Sequence, residues 1–289
     1  MFAVAADVGN VLGECPVWCE RTRRLYWTDI EGSELLALEE DTGIVMRRSL
    51  PERLGSFALT EKGNVLLMGL ASRLAFCDLD TGEFIPVADS PGEQDTRIGD
   101  GRCDREGNFV FGTMDDGYPA KVIGKFHRLN AATLSIETLS LPEVAIPNSI
   151  CFSPDGSTMY YCDSMQGRIM CCVYPSLNNQ RVFCESEGKG APDGSCVDAM
   201  GYIWNAEWGG SRIVRYRPDG TTDCILSSPA IQSTCPTLAG EAFTTLYCTS
   251  ASTGLSQPSG HDGALLKAKS AVFAGLPESR FSARLSEIL

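Results

Sequence analysis

The chain has 289 residues, 43% hydrophobic and 21% charged, an ordinary globular composition that argues against disorder. Its 24 basic and 37 acidic residues give a net charge of -13, which disfavours nucleic acid and anionic membrane surfaces as partners. No stretch reaches the roughly 18 apolar residues of a membrane span, and MFAVAADVGNVLGE lacks the basic and apolar regions of a secretory signal, so a cytoplasmic protein is expected.

In chain order, Phe2-Ala3-Val4 begins a short apolar run, and GECPVW at 13–18 leads into the strand-like Arg24-Leu25-Tyr26-Trp27 and Leu35-Leu36-Ala37-Leu38. A polar turn followed by two strand-like runs then recurs. Its six copies are WCERTRRLYWTDIEGSELLALEEDTG, ALTEKGNVLLMGLASRLAFCDLDTG, RCDREGNFVFGTMDDG, CFSPDGSTMYYCDSMQGRIMCCVYP, CVDAMGYIWNAEWGGSRIVRYRPDG and TLAGEAFTTLYCTSAS. The spacing of roughly 40–50 residues is that of propeller blades. Asp-Thr-Gly at 41–43 and 80–82 and Pro-Asp-Gly at 154–156 and 218–220 are turn sequences between these runs. A β-sandwich would also have many short strands but gives no reason for this period.

The sequence therefore predicts an all-β, six-bladed β-propeller with four-stranded blades. With no Pro-rich, Ser-rich or charge-run linker, a single domain over residues 1–289 is expected. Phe2-Ala3-Val4 is expected to pair beside the strands around Leu246 and Leu265, and Pro277-Glu278-Ser279-Arg280 to lead into a final strand. The thirteen cysteines are scattered, odd in number and form no CxxC pair, which favours reduced core thiols over disulfides or zinc.

In a propeller the innermost strands converge on one channel, so polar residues at their starts meet although they are distant in sequence. Those residues are Glu14 in GECPVW, Arg97 and Asp100 in TRIGDGRCD, Asn148 in IPNSICF and Asp193 in APDGSCVD. Each has a plainer reading: a solvated turn carboxylate for Glu14, a turn amide for Asn148, a type I turn for Asp193. Together, Glu14, Asn148 and Asp193 supply three oxygens, two of them anionic, suited to a hard or borderline divalent cation.

GECPVW, RIGDGRCDREGNFVFGTM, PNSICFSPDGSTMYYCDS and PDGSCVDAMGYIWNAEWGG together resemble, in order and over nearly the whole chain, the signatures of the SMP-30/gluconolactonase/regucalcin-like family. The resemblance implies a six-bladed propeller with a divalent metal in its channel and, among bacterial members, sugar lactonase activity. It implies Glu14, Asn148 and Asp193 as metal ligands, Asp193 as the acid/base residue and Arg97 as a substrate contact. Asp100 and Asp116 join Arg97 as candidate substrate-binding residues. The chain departs from the family at Gly99, where an asparagine is usual, at Asp116, a stand-in for a glutamate, and at Ser149, where glycine is common.

The expected reaction is hydrolysis of an aldonolactone to the aldonate. An L-arabinono- or xylonolactone is favoured, with gluconolactone as another candidate, and the cofactor is one cation among Ca, Mg, Mn, Zn and Fe. A monomer is expected. A calcium-binding or regulatory propeller without turnover is the alternative, since the same three ligands permit it. The single Tyr26-Trp27-Thr28-Asp29 matches the YWTD of receptor-type propellers and reads as strand packing with a blade-joining aspartate.

No G-x-S-x-G elbow is present, and the two histidines offer little for a Ser-His-Asp triad. His127 alternates with apolar residues as a structural strand side chain, and His261 lies in a loop sequence. Trp18 and Trp204 read as core, and Trp208 as a rim residue.

Overall fold

Period-2 strands separated by Gly- and Asp-rich turns close into hairpins, and here they build six four-stranded antiparallel sheets. The computed structural model describes residues 2–188, 190–269 and 273–285. After β1 (Ala3–Ala6), the first blade is β2–β5 (Gly13–Cys19, Arg24–Asp29, Glu34–Glu39, Val45–Ser49). The second is β6–β9 (Leu54–Leu59, Val65–Leu70, Arg73–Asp78, Phe84–Asp89) and the third β10–β13 (Thr96–Cys103, Phe109–Asp115, Phe126–Leu129, Ile136–Thr138). The fourth is β14–β17 (Pro147–Phe152, Thr158–Asp163, Arg168–Val173, Asn178–Glu185) and the fifth β18–β21 (Ala191–Val197, Ile203–Trp208, Arg212–Tyr216, Thr222–Ser227). The sixth is β22–β24 (Gln232–Ala239, Thr245–Ala251, Leu265–Lys269), completed by β1, with Ala3 opposite Lys267 and Val4 opposite Leu266. The molecule is a six-bladed propeller, and its ring closes where the N-terminal run was expected to pair.

Each of six apolar cores lies between two neighbouring blades. This explains why strands such as Val65–Leu70 are apolar throughout rather than alternating apolar and polar. Leu66 and Met68 face the first blade while Val65 and Leu67 face the third, so both faces of the sheet are buried. The outermost strands, β5, β9, β13 and β21, are largely exposed or half-buried.

All six innermost strands shift register near the channel: between Glu14 and Val17, Leu54 and Ser56, Ile98 and Gly101, Asn148 and Cys151, Pro192 and Ser195, and Ser233 and Pro236. A β-bulge bends its strand and re-aims a side chain. Cys15 and Ser149, inside two of these bulges, adopt positive φ of 49° and 59°.

Beyond Arg280 no further strand forms among the described residues. The segment instead makes an extended strap, with Phe281 bridging in parallel to Thr60. Arg280 donates to Thr60 O and Glu20, and Glu278 pairs with Arg102 at 3.1 Å, so the strap crosses the channel end opposite the candidate site.

Candidate active site and metal centre

Local folding first fixes the segments that carry the site. Asp29, at the end of β3, accepts the backbone N–H groups of Val11 and Leu12, both at 2.9 Å, and so holds the chain just ahead of Glu14. Asp163, at the end of β15, does the same for Ala145 and Ile146 ahead of Asn148. The sequence reading found Asp29 and missed Asp163. The signal was the shared run of two aromatic residues, one more residue and an aspartate, YWTD and YYCD.

The bulges then place Glu14, Asp100, Asn148 and Asp193 on one cavity of about 300 Å³, with Arg97 and Gly99 beside them. The remaining wall is largely apolar: Leu12, Ile30, Met114, Ile146, Pro147, Met165, Ala191 and Trp208. Ser164, also on the wall, accepts from Asn148 Nδ2 at 2.9 Å, which leaves the amide oxygen of Asn148 as the atom on offer. Asp193 is buried, and its peptide is held from two directions. The Ser149 hydroxyl donates to Asp193 O at 2.6 Å, and Asn205 Nδ2 donates to the same carbonyl at 3.1 Å. Ser149 thereby links the peptide that follows Asn148 to the peptide of Asp193.

The electrostatics of the cluster disfavour ionising all three carboxylates together. Burial, then the nearby Asp100, pushes the Glu14 carboxyl up to about 8. Burial, then Glu14 and Asp100, holds Asp193 well above the carboxylate range, and burial raises Asp100. Among the described residues none of these three carboxylates forms an ion pair; the neighbouring Arg97 pairs with Asp116, Nε to Oδ1 at 3.4 Å. A bound cation would let the three groups ionise together.

Their oxygens suit a hard or borderline divalent ion. No group of three or more His, Cys, Asp and Glu side chains among the described residues could hold an ion unaided. The Asn148 amide oxygen is the further donor that the cavity offers beside these carboxylates.

Arg97 is buried by its neighbours, and burial, then Arg53, lowers its pKa. Asp116 stands outside the cavity lining and bridges two arginines, binding Arg53 Nη2 at 2.5 Å through its other oxygen. Asp100 Oδ2 accepts the N–H of Ile150 at 2.9 Å, tying the third blade to the fourth.

His127 is buried on β12 between Thr113 and Thr138, and His261 is an exposed loop residue. Trp18 and Trp204 are core residues, while Trp208 lies at the cavity. All thirteen cysteines are free thiols, and all but the half-buried Cys224 are buried. No described helix is long and apolar enough to cross a membrane.

Comparison with known proteins extends these findings. The model of the SMP-30/gluconolactonase/LRE-like region matches residues 12–252. The chain is 46% identical over 286 residues to an L-arabinolactonase of Azospirillum brasilense, covering 96% of this chain and 94% of that one. It is 30% identical over 295 residues to the pentonolactonase XacC of Haloferax volcanii, covering 96% and 97%. The crystal structure of a calcium-binding protein, regucalcin, from Agrobacterium tumefaciens superposes with a TM-score of 0.90 at 28% identity, covering 97% of each chain. From its repeats to its channel and its matches across nearly its whole length, the chain belongs to the SMP-30/gluconolactonase/regucalcin-like family.

Proposed function

We propose that the protein is a metal-dependent sugar lactonase that opens an aldonolactone, in particular a pentonolactone such as L-arabinono-1,4-lactone, to the aldonate. It is a hydrolase of cyclic carboxylic esters. The pentonolactone preference draws on the names of two relatives matched over nearly the full chain. The observation that supports a metal most directly is the convergence of the half-buried Glu14 and Asp100 and the buried Asp193 on one cavity, with none of the three in an ion pair among the described residues.

In this reading Glu14, Asn148 and Asp193 would hold one divalent cation, which would supply Lewis acidity toward the ester carbonyl. Asp193 accepts a proton from the attacking water and returns it to the ring oxygen as the C–O bond breaks. Arg97 donates to the developing oxyanion or to a substrate hydroxyl, and Asp116 fixes its guanidinium. Asp100 would add negative charge beside that cation, and it braces the Asn148 strand through Ile150.

Acid release from a panel of pentono- and hexonolactones tests this proposal. Hydrolysis should be abolished by EDTA and restored by one divalent metal. Asp193→Asn should lose about 10²–10⁴ in kcat, the usual contribution of a general acid/base. Lactone opening that survives complete chelation would remove the cation from the mechanism. Cation binding with no hydrolysis above the spontaneous rate would favour a binding propeller.

A further inference from the structure

Gly99 lies on the cavity wall between Arg97 and Asp100, yet its lack of a side chain is not forced by the fold. Its backbone lies outside the left-handed region, and a Cβ built there would meet Met114 Sδ at 3.5 Å and Pro147 Cγ at 3.6 Å, ordinary contact distances. Gly194, at the bulge of the fifth blade, is different: a Cβ there would lie 2.9 Å from Cys235 Cα, against backbone. Position 99 could carry a side chain. What it exposes instead is the thioether of Met114 and the ring of Pro147, neither of which has an N–H or O–H to offer a sugar hydroxyl. Ser164, whose hydroxyl accepts from Asn148 and keeps its own O–H, is not among the three atoms nearest a Cβ at position 99.

We propose that Gly99, Met114 and Pro147 form an apolar subsite for the exocyclic group of the lactone, and that the enzyme also accepts lactones with methyl in place of hydroxymethyl, the 5-deoxy-1,4-pentonolactones. This rests on the lactonase reading above. The physical basis is an asymmetry of recognition. A site built to hydrogen-bond a hydroxyl rejects the analogue lacking it by about 10⁴–10⁵, because its polar groups are left unpaired, whereas an apolar wall separates such a pair by about 10² or less. Methyl against Met114 and Pro147 strands neither side chain, and the third neighbour, Gly112 O at 3.8 Å, belongs to β11 where Gly112 pairs with Phe126 of β12.

The test compares kcat/KM for L-arabinono-1,4-lactone and its 5-deoxy analogue in the metal-loaded enzyme. Values within about 10²-fold of each other are expected for the wild type. Gly99→Asn, which adds an amide at the subsite, should move the ratio at least tenfold toward the hydroxylated lactone. A loss of 10³-fold or more on the deoxy lactone in the wild type overturns the subsite while leaving the lactonase reading intact. An unchanged ratio in a folded Gly99→Asn overturns the role of Gly99. Hydrolysis of neither lactone overturns both readings together. Should Gly99→Asn fail to fold, the wild-type ratio alone decides.

Discussion

His127 packs against Phe111 with ring centroids 5.4 Å apart and meets the hydroxyls of Thr113 and Thr138 at 3.1 and 3.2 Å. Burial, then Lys125, lowers its pKa to about 4, against about 6.5 in an unfolded chain. The unfolded state therefore binds its proton first as the pH falls. The contribution of the neutral ring is complete above pH 6.5 and is lost down to about pH 4, worth about 3 kcal/mol in full. Urea unfolding at pH 7 and pH 4 should show the wild type losing about that much more than His127→Gln, and equal losses would reject the account. Its structural role was legible because the residue alternates with Phe126 and Leu129 in a strand pattern. Asp193 was harder to read. Its Pro-Asp-Gly also occurs at Asp155 and Asp219, which are exposed turn residues whose carboxylates accept from Ser157 and Thr221. Asp193 has a serine at the same offset, Ser195, but that hydroxyl donates to Ser149 across the blade boundary. The difference is made by a residue more than forty positions away, which no local pattern contains.

At the scale of elements, the bulged inner strand is the unit that turns a propeller into a site. Turns and strand pairs follow from local chemistry and were legible. The bulges were not, because their register depends on the partner strand and on the adjacent blade. Gly194 shows how tightly one of them is set. Gly194→Ala drives its Cβ against Cys235 Sγ and within 2.9 Å of Cys235 Cα, so the backbone must shift. Overpacking of this kind costs about 1–3 kcal/mol. Because residue 194 adjoins Asp193, cation affinity should fall along with stability, whereas Gly99→Ala, with its nearest contact at 3.5 Å, should keep wild-type unfolding free energy. Paired urea melts and cation titrations by calorimetry check both, and a Gly194→Ala protein with wild-type stability and affinity would refute the packing argument.

Across the whole molecule, the repeat period made the blade count legible, whereas the strap and the wall of the cavity were not. Pro277–Arg280 has the composition of a strand start, but an edge partner was already supplied by β1, so the segment runs on across the far mouth of the channel. There Arg102, half-buried, is paired with Glu278; burial opposes its charge and the carboxylate raises its pKa. Removing one partner of a fully buried pair costs about 3–5 kcal/mol and of an exposed one about 1 kcal/mol or less, so Glu278→Gln at this half-buried pair should lower the unfolding free energy by about 1–3 kcal/mol. A loss under 1 kcal/mol would mean that solvent reaches the guanidinium. The pairing of β1 with β24 has a consequence for biosynthesis. Residues 3–6 are synthesised more than 250 residues ahead of their partners at 265–269. The sixth blade therefore cannot be completed until β24 has been made, and the nascent ring waits with its seam open while the first five blades are synthesised.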